Sequence, residues 1–87
     1  MIKYKSLNEL KVGESAIITS IDPKNDIRQR LYDLGFIKGA HVDCIGKAPA
    51  GEPTAFGVNS AVIALRCEEC QSIMTSSVKE EYDYGTH

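Results

Sequence analysis

The sequence predicts a mainly β domain: five short strands forming a small closed or partly closed barrel, one inserted α-helix, and short helical turns. Three observations lead there. Runs of β-branched or alternating residues recur between Gly, Pro and Asn-Ser breaks. Only one segment carries a long apolar stripe of helical period. The chain has 87 residues, enough for one core that removes only ~60% of the unfolded surface from water. Five short strands cannot cover two separate sheets, so closure is the economical way to protect their edges.

Ser6-Leu7-Asn8-Glu9-Leu10 opens with Ser6 and has Glu9 three residues on, a capping-box pattern that predicts one short helical turn. Glu14 to Ile21 carries Ile17, Ile18, Thr19 and Ile21 between Gly13 and Pro23, and reads as the first strand. Ile27, Leu31 and Leu34 then fall at i, i+4 and i+7, so a helix is expected from Asp26 to Leu34. Asp26 with Gln29 would cap its start, and Gly35 supplies the left-handed position at its end, with Phe36 folding back on the last turn. Ala40 to Gly46 alternates, Val42 and Cys44 on one side, His41, Asp43 and Ile45 on the other. Residues 47–53 hold two prolines and a glycine and read as a loop. Thr54 to Val58 and Ala61 to Arg66 flank Asn59-Ser60, the spacing of a tight hairpin. Cys67 to Cys70 reads as a polar, helical turn, and Ser72 to Val78 as the last strand.

Charge narrows the function classes. The net charge is −2, with ten Lys and Arg against twelve Asp and Glu. Residues 79–87 carry three of the acids and one base, and read as a disordered acidic tail behind a domain of residues 1–78; the body is neutral. A neutral body argues against nucleic acid as a partner, because that binding depends on clustered Lys and Arg. Lys24, Arg28 and Arg30 are interleaved with Asp22, Asp26 and Asp33, which makes a mixed, solvated face. The longest unbroken apolar run, Ala61 to Leu65, is far short of a membrane span, and the opening residues lack a secretory pattern, so a cytoplasmic location is expected. Three cysteines in that setting are expected to be reduced.

With these elements in place, the order of motifs resembles the FeoA family, the small cytosolic component of bacterial ferrous iron uptake systems. The residues that carry the likeness are Leu7-Asn8-Glu9-Leu10-Lys11-Val12-Gly13-Glu14, Arg30-Leu31-Tyr32-Asp33-Leu34-Gly35-Phe36-Ile37-Lys38-Gly39, Ala48-Pro49-Ala50-Gly51-Glu52-Pro53, and Ile63-Ala64-Leu65-Arg66 with the turn around Glu69. The resemblance implies an SH3-like barrel and a non-enzymatic role, docking on the membrane GTPase-transporter FeoB and meeting the membrane only through it. Two departures stand out: Ser60 where family members usually carry Gly, and the Cys67-x-x-Cys70 pair, with Cys70 where a small residue such as Ala is usual.

Metal, thiol and catalytic readings compete with plainer ones. His41, Cys44, Cys67 and Cys70 together would make a Cys3His zinc set. His41 and Cys44 differ by an odd number along a strand, so without a bulge they face opposite sides. Cys44 then reads as a small core residue, and Cys67, Cys70 and His41 remain only candidates for metal. The CxxC pair lacks the βαβ setting of a thioredoxin-like site. No phosphate-cradling loop or serine elbow is present, no compact ligand set for Fe(II) exists, and the expectation is no enzyme and no cofactor.

That leaves docking. Arg28 and Tyr32 on the outer helix face, with Phe36, Pro49 and Pro53, are the expected partner-binding residues, although Phe36 also reads as a staple between helix and barrel. A second reading makes the chain a regulatory module like the SH3-like domains appended to iron-dependent repressors. That role would call for a fused helix-turn-helix, for which 87 residues leave no room.

Overall fold

The computed structural model describes residues 4–24 and 26–77, and the expected tail lies outside these. In chain order the elements are β1 (Tyr4–Ser6), a 3₁₀ turn (Leu7–Glu9), β2 (Ser15–Ile21), α1 (Arg28–Leu34), β3 (His41–Lys47), β4 (Thr54–Val58), β5 (Ala61–Leu65), α2 (Cys67–Cys70) and β6 (Ile73–Ser77). All the strand pairs are antiparallel, and the sheet order is β1-β6-β2-β3-β4-β5.

The sheet is open, which corrects the expected five-stranded barrel on two points. A sixth strand, β1, is only three residues long, too short to show alternation in sequence, and it takes the outer edge of β6. At the other end, among the described residues, β5 bonds to β4 alone, so the two ends of the sheet do not meet. The core is closed by helical segments instead of by strand pairing. Leu7 and Leu10 at the 3₁₀ turn, Leu31 of α1 and Cys70 of α2 are buried with Ile18, Val42, Cys44, Phe56, Val58 and Ile73 from the sheet. Irregularities in the pairing after Ile18 and after Cys44 bend the sheet around that core.

Local chemistry explains the elements. At the 3₁₀ turn, the Ser6 backbone amide donates to Glu9 Oε2 at 2.9 Å, half of the expected capping box. The Asn59-Ser60 turn has both residues at positive φ (51° and 66°), the type I′ geometry that matches strand twist, and joins Val58 directly to Ala61. The buried Thr75 hydroxyl donates to the Lys5 carbonyl at 2.9 Å, so the polar side chain placed in the β1–β6 seam is satisfied there.

Candidate docking surface

The helix α1 is shorter than expected. It begins at Arg28 with Ile27 as N-cap and no side-chain capping bond, and the Gln29 amide donates instead to Asp33 Oδ1 at 3.2 Å. Its end matches the sequence reading. Gly35 adopts φ 106°, its N–H donates to the Tyr32 carbonyl at 3.0 Å, and the Phe36 N–H donates to the Leu31 carbonyl at 2.9 Å. This paired arrangement satisfies the last carbonyls and turns Phe36 inward onto Leu31. Phe36 is 0% exposed and belongs to the core. Leu31 faces inward, and Arg28 and Tyr32, one turn apart, lie together on the flank of the helix beside it; Arg28 is half-buried and Tyr32 is 38% exposed.

Pro49 and Pro53 sit elsewhere. The loop between β3 and β4 folds on itself, the Gly51 N–H donating to the Ala48 carbonyl at 2.8 Å and the Ala48 N–H to the Pro53 carbonyl at 3.1 Å. Glu52 Oε1 accepts the Cys67 backbone N–H at 2.9 Å, which ties the loop to the start of α2. Both prolines are exposed. Gly35, however, packs against Asn59, beyond the far end of β4 from this loop. Thr54 and Val58 are about 13 Å apart along that strand. The five residues named from sequence are therefore not gathered into one groove: half-buried Arg28 and exposed Tyr32 lie together on α1, the two prolines on a separate loop, and Phe36 beneath the surface.

Sequence reasoning passed over three exposed apolar side chains, Ile37, Ile45 and Val62. The signal was present for Ile45, which falls on the His41–Asp43 side of the β3 alternation. It lies where the β3–β4 pairing shifts, over Gly57, and a Cβ at position 57 would meet its Cδ1 at 3.1 Å. Ile45 and Val62 thus flank a strip of sheet floored by a glycine.

The metal and catalytic candidates separate in space. Cys44 is buried and His41 exposed, as alternation requires, because the pairing shift comes only after Cys44. His41 Nε2 lies 3.1 Å from Asp43 Oδ1, and the same oxygen accepts the Ser15 hydroxyl. Ser, His and Asp are all present, but the carboxylate lies between the other two. The imidazole does not reach the hydroxyl and cannot act as its base. Burial pushes the Cys70 thiol up to about 12, reinforced by Cys67 and nearby acids, and burial likewise raises Cys44. Both are protonated thiols at neutral pH. Among the described residues no group of three His, Cys, Asp or Glu side chains is placed to hold a metal ion.

An open depression of about 390 Å³ lies between the β2–α1 connection and α2, lined by Asp22, Lys24, Asp26, Glu68 and Glu69. Two of its carboxylates are already engaged: Asp22 Oδ1 accepts the Lys24 N–H at 2.9 Å, and Glu69 Oε1 accepts the Arg66 N–H at 2.8 Å.

Residues 5–76 match the family model of the FeoA domain. The chain belongs to the FeoA domain family. It is 29% identical over 68 residues to a putative Fe(2+) transport protein A of Campylobacter jejuni, covering 78% of this chain and 92% of that protein. It is 27% identical over 67 residues to an Fe(2+) transport protein A/Fe(2+) transporter FeoB fusion protein of Porphyromonas gingivalis, 77% of this chain but only 8% of that much longer one. Among solved structures it resembles the zinc-complexed FeoA of Stenotrophomonas maltophilia, described as an SH3-domain protein, at 33% identity and a TM-score of 0.73 over 82% of this chain and 88% of that one. The IdeR of T. acidophilum shares the fold at 19% identity and a TM-score of 0.74, over 85% of this chain and 34% of that one. That likeness is one of architecture alone.

Proposed function

We propose that this FeoA-family domain is a cytosolic, non-enzymatic accessory of a ferrous iron uptake system that docks on a FeoB-type membrane GTPase-transporter and modulates it. The observation that carries this reading is the Porphyromonas gingivalis relative, in which a FeoA segment and FeoB share one polypeptide. Fusion raises the effective concentration of two modules that work on each other, which supports contact between them. The family match agrees with a role by contact, as does the surface arrangement in which Asp43 lies between Ser15 and His41.

Within that role the exposed face of α1 is the contact we favour. Tyr32 offers a ring with a polar end and Arg28 a guanidinium on the same side, the residue types that dominate interface centres. Pro49 and Pro53 would form a second, separate contact. Calorimetric titration of the chain against the soluble G domain of a FeoB-type transporter, loaded with GDP or a GTP analogue, tests both. Association in at least one nucleotide state, weakened roughly tenfold or more by Tyr32→Ala, is the expected result. No association in either state would overturn the partner; undiminished binding by both Tyr32→Ala and Arg28→Ala would overturn the face.

A further inference from the structure

The outer edge of β5 has the features of a pairing surface. Natural sheets usually protect such edges with Lys, Pro, a bulge or a very short strand. β5 uses none of these: Ala61-Val62-Ile63-Ala64-Leu65 is five residues, uncharged, free of Pro and in unbroken register with β4. The other edge strand, β1, is three residues long and carries Lys5.

The hairpin fixes which backbone groups face outward. In a two-residue turn the flanking pair, Val58 and Ala61, exchanges both hydrogen bonds, and the pattern then alternates. Ala61, Ile63 and Leu65 therefore spend their N–H and C=O on β4, while those of Val62 and Ala64 point away from it. Among the described residues β5 has no neighbour on that side, and Val62 is 69% exposed.

We infer that this edge pairs with the β5 edge of a second copy of the chain, antiparallel and about a two-fold axis at Ile63. That axis sets Ile63 opposite its symmetry mate and Val62 opposite Ala64 of the other copy. The latter pair is the one whose four outward groups per junction can exchange hydrogen bonds, so every outward N–H and C=O of the two strands is satisfied at once. A larger side chain meets a smaller one at each off-axis position: Val62 against Ala64, Leu65 against Ala61. No charge repels its copy within the strand. Beyond it, Arg66, next in the outward alternation, is brought to the Asn59-Ser60 turn of the other copy, beside the groove lined by Asp43 on the same outer face. The Ile45–Gly57–Val62 strip would continue across the junction onto Ala64 of the second copy. Two five-residue strands bury less than the ~1,200–2,000 Å² of a stable standard interface, so the dimer is a weak, concentration-dependent one.

The inference does not depend on the transporter reading, and sedimentation equilibrium of the whole chain from about 10 μM to 1 mM tests it. The wild type should pass from monomer to dimer over that range. Val62→Lys, at a solvent-facing position, should raise the dissociation constant roughly tenfold or more by placing a bare charge on each junction, with an unchanged circular dichroism spectrum. Adding Ala64→Glu should restore association, because each introduced ammonium then faces an introduced carboxylate on the other copy. A wild type that stays monomeric to the highest concentration, leaving the edge to a foreign strand, overturns the inference. So does a dimer indifferent to Val62→Lys, or a Val62→Lys defect that Ala64→Glu does not repair.

Discussion

Gly35 lies so close to Asn59 that a Cβ added at position 35 would sit 3.0 Å from the Asn59 Cβ, with the Gly35 backbone at φ 106°. One glycine therefore meets two demands: the left-handed end of α1, and the close seating of that end on the β4–β5 turn. Gly35→Ala should cost about 1–3 kcal/mol by combining backbone strain with the close contact. Urea denaturation of Gly35→Ala, Asn59→Gly and the double variant separates the two terms. The expected sign is a double variant less destabilised than the sum of the singles, because removing the Asn59 side chain relieves the contact and leaves only the strain.

Glu14 supplies a pH signature. Its carboxylate accepts the Lys11 backbone N–H at 2.7 Å and Lys5 Nζ at 3.1 Å, which ties β1 to the entry of β2. The Lys11 amide first, then the Lys5 ammonium, hold its pKa below the ordinary value of 4.5. A lowered folded-state pKa means stabilisation that is complete above the unfolded value and lost as pH falls through the folded one. Glu14→Gln keeps the acceptor for Lys11 but loses the charge. The urea midpoint of the wild type should exceed that of Glu14→Gln at pH 6–7, and the two should converge as the solution is acidified below pH 4.5. The side chain is 42% exposed, so the gap should be small and should shrink with added salt.

How far the sequence revealed this arrangement depended on the length of each signal. β4 is a five-residue run bounded by Pro53 and the Asn59-Ser60 turn, and its limits could be read to the residue. Gly35 marked the end of α1 because left-handed backbone is costly for other residues. α1 starts two residues later than its sequence predicts, since Asp26 and Gln29 match a capping box that the chain does not form. β1 is not legible in the sequence because three residues cannot show a two-residue period, and neither, with it, is the sixth strand of the open sheet. For the docking surface, exposure was legible where alternation or helical spacing settled it, as for Tyr32. The distance between α1 and the proline loop was not, because it is set by which end of β4 each one meets.

Ser60 is a position where the chain departs from its best local geometry. Its φ of 66° in a type I′ turn is a region glycine enters without steric cost, whereas Ser must bring its Cβ close to backbone. Ser60→Gly should stabilise the domain by about 0.5–1 kcal/mol, raising the thermal midpoint by a few degrees. Ser60→Val, branched at Cβ, should lower it. If Ser60→Gly is neutral or destabilising, the turn does not have the conformation described.

The cysteines should divide by burial. Cys67 is half-buried, whereas Cys70 and Cys44 are core residues, and the Cys70 thiol is pushed up to about 12. Alkylation of the native chain by iodoacetamide at pH 8 should label Cys67 first; Cys44 and Cys70 should react only at the rate of unfolding, seen as one added mass followed much later by two more. Substitutions at Cys70 separate packing from polarity. Cys70→Ala leaves a small cavity and should cost about 1 kcal/mol, while Cys70→Ser places a hydroxyl at a site that is 1% exposed and among apolar neighbours, and should cost more. Equal stability of the two variants would mean that position 70 reaches water or finds a hydrogen-bond acceptor, and its thiol would then lose the protection from alkylation that burial provides.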